Sequence, residues 1–471
     1  MTQSASDRPA TFDAIIIGAG QAGPTLASRL TGAGMTVAMV ERHLFGGTCV
    51  NTGCTPTKTL IATAKVAHQA RRAAEFGVRV GGPVTVDLRA AKARKEAVIS
   101  ASRNGLENWL RSTERCTVFN GHARFESPHT VRVNGALLQA KRIFINVGGR
   151  AVVPEFPGVD RVAHLNNSSI LELEELPRHL IVIGGSYIGL EFAQMYRRFG
   201  SAVTVVERGP RLVWHEDEDV SEAIAGIFTD EGIVVRTRAE CIELDTRNGE
   251  IVAGVSCSEG EPEVVGSHVL LAVGRRPNTD DLGLELAGVA VDERGYITVD
   301  DELRTTTAGI WALGDCNGRG AFTHTAYNDY EIVAANLLDG ESRRVSDRIP
   351  CYGLFIDPPL GRVGLTQTQA RARGYRFRVG RRPMTRVGRA VEKGESQGFM
   401  QVLVDDDSQQ ILGAAILGVG GDEAVHSILD TMAARAPFTT LKHAVHIHPT
   451  VAELIPTLLG ELQPPTGQEP V

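Results

Sequence analysis

A short apolar run, Ala14-Ile15-Ile16-Ile17, leads into Gly18-Ala19-Gly20-Gln21-Ala22-Gly23 and then a helical stretch through Leu30. Four consecutive apolar residues suit a parallel strand buried on both faces. After Gly34, the run Thr36-Val37-Ala38-Met39-Val40 predicts a second strand, closed by Glu41. Strand, glycine turn, helix, strand and acid, in that order, are the parts of a dinucleotide site. Gly18, Gly20 and Gly23 let the backbone close on a pyrophosphate, whose charge the helix N-terminus stabilises, and Glu41 would accept from the ribose hydroxyls.

The same pattern returns further on. Leu180-Ile181-Val182-Ile183 leads to Gly184-Gly185-Ser186-Tyr187-Ile188-Gly189, a helix to about Arg198, and a strand from Ala202 to Val206 that ends at Glu207. Gly18 precedes Glu41 by 23 residues, and Gly184 precedes Glu207 by the same 23. Two units of equal spacing imply two dinucleotides. The second unit departs from the fingerprint, with Ser186 where the middle glycine belongs.

Between the units, residues 83 to about 110 contain a helical segment, and residues 116–147 alternate short strands with turns. From about Ile349 the composition shifts: Pro350, Pro358 and Pro359 break the chain, and β-like runs such as Phe399-Met400-Gln401-Val402-Leu403-Val404 appear. Helical stretches are predicted near 422–434 and 451–460. The polar, Pro-rich tail from Gln463 reads as disordered.

At 471 residues the chain has room for about three domains. Its 42% hydrophobic and 22% charged content is that of a soluble globular protein. With a net charge of −7 and no basic block, nucleic acid is not an expected partner; with no cationic helix and no long apolar run, neither is a membrane. Residues 1–12 are polar and lack the pattern of a signal peptide. Seven cysteines, an odd number with one close pair, fit a reducing, cytoplasmic compartment.

That pair lies in Gly46-Gly47-Thr48-Cys49-Val50-Asn51-Thr52-Gly53-Cys54-Thr55-Pro56-Thr57-Lys58, ahead of a helix predicted from residue 57 to about 76. A short loop with a glycine can bring two Cβ atoms within disulfide reach. A cysteine at a helix N-terminus is biased toward thiolate. Such a pair suits reduction and re-oxidation, although two neighbouring cysteines can also be buried, inert thiols. Zinc would need a second ligand pair, and Cys116, Cys241, Cys257, Cys316 and Cys351 offer none; no metal site is expected.

The stretch resembles the redox-active segment, G-G-T-C-x-N-x-G-C-x-P-x-K, of the flavin-dependent pyridine nucleotide-disulfide oxidoreductases, the group of lipoamide dehydrogenase, glutathione reductase and mercuric reductase. The rest of the chain agrees with it. Ile143 to Arg150 resembles the strand-to-glycine exit of the family's flavin domain, at Gly148. Val269 to Asn278, with Gly274, resembles the close of the second domain. Gly309-Ile310-Trp311-Ala312-Leu313-Gly314-Asp315 resembles the segment whose aspartate, here Asp315, binds FAD. The implied fold is α/β: two Rossmann-like domains, for FAD and NAD(P), and a C-terminal α+β dimerisation domain. The expected boundaries are 1–155 with 278–348 for FAD, 156–277 for NAD(P) and 349–471 for the dimer.

The resemblance also implies roles. Gly47, Thr48 and Lys58 would line the flavin. Cys54 would be the charge-transfer thiol and Cys49 the exchanging thiol. His448 and Glu453 match the family's H-P-T-x-x-E acid–base pair, which would come from the other subunit of a homodimer. A histidine suits that work because it changes protonation near neutral pH. Lys58 would pair with Glu191 beside the flavin, and Tyr187 matches an aromatic gate that some relatives place over it. Glu207 at the end of its strand favours NADH, with NADPH possible because Arg208 and Arg211 follow.

The chain also departs from named members. No cysteine follows Cys351, so neither the mercury-delivering pair of mercuric reductases nor the C-terminal pair of large thioredoxin reductases is expected. Thr52 and Thr55 replace apolar residues usual beside the second cysteine. The expected activity is NAD(P)H-dependent reduction of a small disulfide or oxidant through Cys49 and Cys54. The alternatives are direct reduction of quinones or metal ions from the flavin, and a flavin-binding redox sensor without catalysis.

Overall fold

The computed structural model describes residues 8–239, 242–255 and 261–465. Cys241, Cys257 and the end of the polar tail predicted from Gln463 lie outside them. The architecture is α/β, with two Rossmann-like sheets followed by an antiparallel α+β unit.

The first sheet is built around Ala10–Ile17, which pairs in parallel with Val37–Glu41 on one side and Ala136–Ile145 on the other. Ile310–Ala312 returns late in the chain to pair with Ala136–Ile145. The apolar run at 14–17 has no polar face because both of its faces are covered. Ala14 and Ile16 pack with Leu26 and Leu30 of the helix Gly23–Gly32, while Ile15 and Ile17 pack with Phe125, Val133 and Ile143 beyond the other face.

The second sheet repeats the plan. Its parallel strands are Val234–Arg236, Ala202–Val206, His179–Ile183, His268–Leu271 and His164–Leu165, in that order. A three-stranded antiparallel sheet, 242–266, is attached to it. The two glycine exits meet where the chain passes between the sheets: Gly149–Ala151 pairs with Arg275–Pro277, and the Asn278 N–H donates to the Gly148 carbonyl at 3.0 Å. The third sheet is antiparallel throughout, in the order Cys351–Leu354, Leu360–Gly364, Ile411–Leu417, Phe399–Asp405, Phe377–Pro383.

Several predicted boundaries shift. The helix after the cysteines is Cys54–Arg71, with a separate 3-10 turn at Ala73–Phe76. Cys54 is therefore the first helical residue rather than a residue before the helix. Pro56 is accommodated because first-turn N–H groups have no intrahelical partner. Cys49 sits in a short helix of its own, Gly47–Asn51. The long helix between the units is Leu88–Ser112, started by the Asp87 carboxylate accepting from the Ala90 N–H at 3.0 Å. The stretch near 422–434 divides into Gly421–Ala424 and His426–Ala433. The last helix is shorter than expected, Ile455–Gly460, after a 3-10 turn at Ala452–Leu454, with Pro456 in its first turn.

One core ties the three parts together. Leu60 and Ala64 of the cysteine helix, Leu190, Phe192 and Met195 of Tyr187–Phe199, and Leu354, Leu360 and Leu417 of the third sheet share a single buried cluster. The helix that presents Cys54 is thus fixed against both later parts of the chain.

Candidate active site

The three parts enclose a cavity of about 2140 Å³. An ordinary small-molecule site spans ~300–1000 Å³, so this one has room for more than one ligand. Gly18, Gly20, Glu41, Gly47, Thr48, Cys49, Cys54, Lys58, Gly148, Gly184, Tyr187, Glu191, Glu207, Gly274 and Asp315 all face it.

Both glycine turns are closed in the same way. Gly18 has φ +106° and Gly184 has φ +116°. A Cβ there would collide with the Asn146 carbonyl in the first unit and the Ala272 carbonyl in the second. Likewise a Cβ on Gly23 or Gly189 would strike the carbonyl of Gly18 or Gly184, at the start of its own turn. The two acids also match. Glu41 accepts from the Ala19 and His43 N–H groups, both at 2.8 Å, and Glu207 accepts from those of Gly185 and Gly209, both at 2.6 Å. Each carboxylate is thereby clamped to its glycine turn. Arg208 is exposed on the cavity wall beside Glu207, whereas Arg211 is engaged with the Glu216 carbonyl at 3.1 Å.

The first unit fits a flavin dinucleotide. Its glycine cradle leaves open backbone at the helix N-terminus, as a pyrophosphate requires. Asp315 faces the cavity with Arg275 at 3.7 Å as its ion-pair partner, and burial raises its pKa, as suits a carboxylate placed to accept from ligand hydroxyls.

Cys49 and Cys54 are free thiols in hydrogen-bonding contact, and their chemistry is split. The Cys49 thiol donates to the Cys54 sulfur. This bond, more than any other influence, lowers Cys54 to about 6, with help from the Thr323 hydroxyl and the Lys58 ammonium. The same bond, with burial, pushes Cys49 up. Thr323 Oγ1 stands 3.3 Å from Cys54 Sγ. Lys58 Nζ lies 2.7 Å from Glu191 Oε2 and over the Phe355 ring. The other Glu191 oxygen accepts from the Phe355 N–H at 3.1 Å. The lysine that follows the cysteines is thus held by the second unit's helix.

His448 and Glu453 are brought together but not to the cysteines. His448 Nδ1 is 2.9 Å from Glu453 Oε2, which leaves Nε2 outward on a side chain 82% exposed. Neither residue lines the cavity. Val445 and Ile447 beside them are 100% and 80% exposed.

Sequence reasoning missed Asn146, Thr323, Tyr352, Glu216 and Arg362. Asn146 donates to the Gly18 carbonyl at 3.1 Å and braces the first glycine turn. Thr323 begins the helix Thr323–Ala334 and reaches Cys54 across 269 residues of chain. No local pattern marks such a contact. Among the described residues, no group of three or more His, Cys, Asp or Glu side chains could hold a metal ion, and no helix is long and apolar enough to cross a membrane.

Fold and site together define a two-dinucleotide oxidoreductase with a dithiol facing the cavity. The family model for pyridine nucleotide-disulphide oxidoreductases matches residues 12–329, and that for their dimerisation domain matches residues 351–459. The chain belongs to this family of NAD(P)H-dependent, FAD-containing enzymes. It is 37% identical to the probable pyridine nucleotide-disulfide oxidoreductase RclA of Escherichia coli (strain K12), over 95% of this chain and 99% of that protein. It is 32% identical to the dihydrolipoyl dehydrogenase of Chlamydia muridarum, over 94% and 95%, and 33% identical to the mercuric reductase of Streptomyces lividans, over 94% of each. Among solved structures, the HOCl-induced flavoprotein disulfide reductase RclA from Escherichia coli superposes with a TM-score of 0.86 at 35% identity, covering 95% of this chain and 99% of that one. A Cu(II) complex of the same protein gives 0.87 at 34%, covering 96% and 99%.

The split between the thiols predicts a pH dependence. In the two-electron-reduced enzyme, the thiolate-to-flavin absorbance should be full at neutral pH and fade as pH falls through about 6, where Cys54 takes up its proton. Thr323→Val removes a donor to the thiolate and should move that midpoint upward by about one unit. Thr323→Ser should restore it. A spectrophotometric pH titration reads all three, and an unmoved midpoint in the valine variant would contradict the assignment.

Proposed function

We propose that the chain reduces a small disulfide or a related oxidant with NADH, through a redox-active Cys49–Cys54 pair, as a cytoplasmic homodimer. The observation that carries this reading is a pair of free thiols on the cavity wall, with Cys54 at a helix N-terminus and its sulfur 3.3 Å from the Thr323 hydroxyl. The surroundings lower the Cys54 thiol and push that of Cys49 up, which favours charge on the first and the proton on the second.

The chain's own groups divide the work. FAD, when bound at the first glycine turn, would supply the two-electron relay between nicotinamide and the disulfide. Cys54 stays in place as the thiolate beside it, stabilised by Lys58, whose charge Glu191 fixes in position. Cys49 gives up its proton and attacks the substrate disulfide, and one substrate thiol leaves. Cys54 then attacks Cys49, restoring the Cys49–Cys54 bond and releasing the second thiol. The base that takes the Cys49 proton and returns it to the leaving thiol is His448 of the partner subunit, oriented by its Glu453. This accords with the exposed Nε2 and the bare apolar residues around it. Tyr187 acts as the gate on the nucleotide side, and Glu207 accepts from the adenosine ribose of NADH.

A second reading is direct reduction of metal ions or quinones without the thiols. It is favoured by one observation, that RclA, a relative described as HOCl-induced, has been solved as a Cu(II) complex. Cys49→Ser separates the two readings. It should lower turnover with low-molecular-weight disulfides by at least about a hundredfold, because no exchanging thiol remains. Turnover with quinones or Cu(II) should persist if those acceptors draw on the flavin directly. Disulfide turnover that survives in Cys49→Ser would overturn the thiol mechanism.

The nucleotide preference is tested by steady-state kcat/KM with each cofactor. NADH should be preferred, because Glu207 repels a 2′-phosphate. A tenfold preference for NADPH that Arg208→Ala abolishes would show that Arg208, not Glu207, reads the ribose.

A further inference from the structure

The seam between the second and third sheets contains a polar network that none of the steps above uses. Glu216 and Asp217 stand just before the helix Glu218–Asp230. Arg362 lies on the strand Leu360–Gly364 of the third sheet. The Glu216 and Arg362 side chains are 0% and 1% exposed, and Arg362 Nε donates to Glu216 Oε2 at 3.0 Å while its Nη2 donates to the same oxygen. Asp217 accepts from the Gln367 and Thr368 N–H groups at 2.8 and 3.0 Å, at the start of the helix Gln367–Ala372 that follows this strand, so the seam is joined a second time. A buried ion pair adds little stability over a well-packed apolar one. What it does add here is a fixed carboxylate oxygen at the edge of the nucleotide cavity.

That oxygen has one partner. Glu216 Oε1 accepts from the Tyr352 hydroxyl. The Tyr352 ring meets Tyr187 edge-on, with centroids 5.4 Å apart and planes at 79°. Phe322 closes the other side: it lies 5.8 Å from Tyr187 at 85° and 5.8 Å from Tyr352 at 11°. Tyr187, Tyr352, Phe322 and Arg362 all line the cavity. Tyr187 is thus boxed between two rings, one of which is tethered to a charge that cannot move without opening the seam.

We propose that Tyr352, tethered by the buried Glu216–Arg362 pair, is a positioning residue that latches Tyr187 over the nucleotide side of the cavity. The latch rests on the reading of Tyr187 as a gate and names what holds that gate shut. A nucleotide must displace Tyr187 to reach the inner cavity, so every contact that stabilises the closed ring weakens nucleotide binding by the same factor. Removing the tether should therefore tighten binding, a gain that simple loss of packing does not produce.

The test is calorimetric titration of the oxidised holoenzyme with NAD+, which reads a Kd without turnover. Tyr352→Phe keeps the ring and removes only the hydroxyl, and should lower Kd about three- to tenfold, the equivalent of one hydrogen bond. Tyr187→Ala removes the gate and should lower Kd as well. Adding Tyr352→Phe to Tyr187→Ala should then change nothing further, because the latch has nothing left to hold. If Tyr187→Ala tightens binding and Tyr352→Phe leaves Kd within twofold of the parent, the latch is wrong and the gate stands. If Tyr187→Ala itself has no effect, the gate reading fails and the latch falls with it. A weaker Kd in Tyr352→Phe would mean that the hydroxyl touches the nucleotide, and would equally overturn the latch.

Discussion

The placement of Cys54 at a helix N-terminus, beside Cys49 and 3.3 Å from the Thr323 hydroxyl, is the constraint on which the rest of the site depends. It favours charge on Cys54, while the Cys49 thiol is pushed up. Groups outside the segment 46–58 add to that asymmetry. Lys58 comes from the same helix, but Glu191, which steadies it at 2.7 Å, belongs to the second unit. Thr323, at 3.3 Å, begins a helix that follows the chain's return to the first sheet. The cavity floor is therefore an assembly of three separated segments. The common core of Leu60, Leu190, Phe192 and Leu360 joins the cysteine helix to the second unit and the third sheet, while the helix Thr323–Ala334 is anchored by Ile332 and Val333 in the core of the first sheet.

Whatever depends on local spacing was legible in the sequence. The two glycine turns, their terminal acids and the cysteine pair are short-range patterns, each with a steric or electrostatic reason confined to a few residues. In the structure Glu41 and Glu207 each accept from an N–H of their own glycine turn. Pairs such as Lys58–Glu191 and His448–Glu453 came only through resemblance, because nothing in their own neighbourhoods marks them as partners. Thr323, Tyr352, Glu216 and Arg362 escaped both routes. A threonine at a helix start reads as an ordinary terminus, and an isolated arginine in a strand reads as a surface charge. Their meaning arises only once distant elements are packed together.

The helix boundaries teach the same lesson on a smaller scale. The helix predicted from residue 57 begins at Cys54, because Pro56 in the first turn leaves no hydrogen bond unmade. Those three residues matter to the chemistry. They place the Cys54 sulfur at the helix N-terminus itself, where the unpaired N–H groups and the dipole favour an anion. His448 presents the opposite situation. Its ring is held by Glu453 but stands in the open, beside Val445 and Ile447, on the part of the chain that matches the family's dimerisation domain. A His–Glu pair this exposed and outside the cavity leaves its outer nitrogen open to a second copy of the chain.

The central claim is that the first two electrons from the nicotinamide come to rest on the two cysteines. Anaerobic titration of the oxidised enzyme with NADH, with accessible thiols counted at each point, tests it most directly. The account predicts that one equivalent of NADH per flavin produces two new thiols per subunit while the main flavin absorbance stays largely intact, and that bleaching follows only with further reductant. Bleaching of the flavin by the first equivalent, with no new thiols, would contradict it.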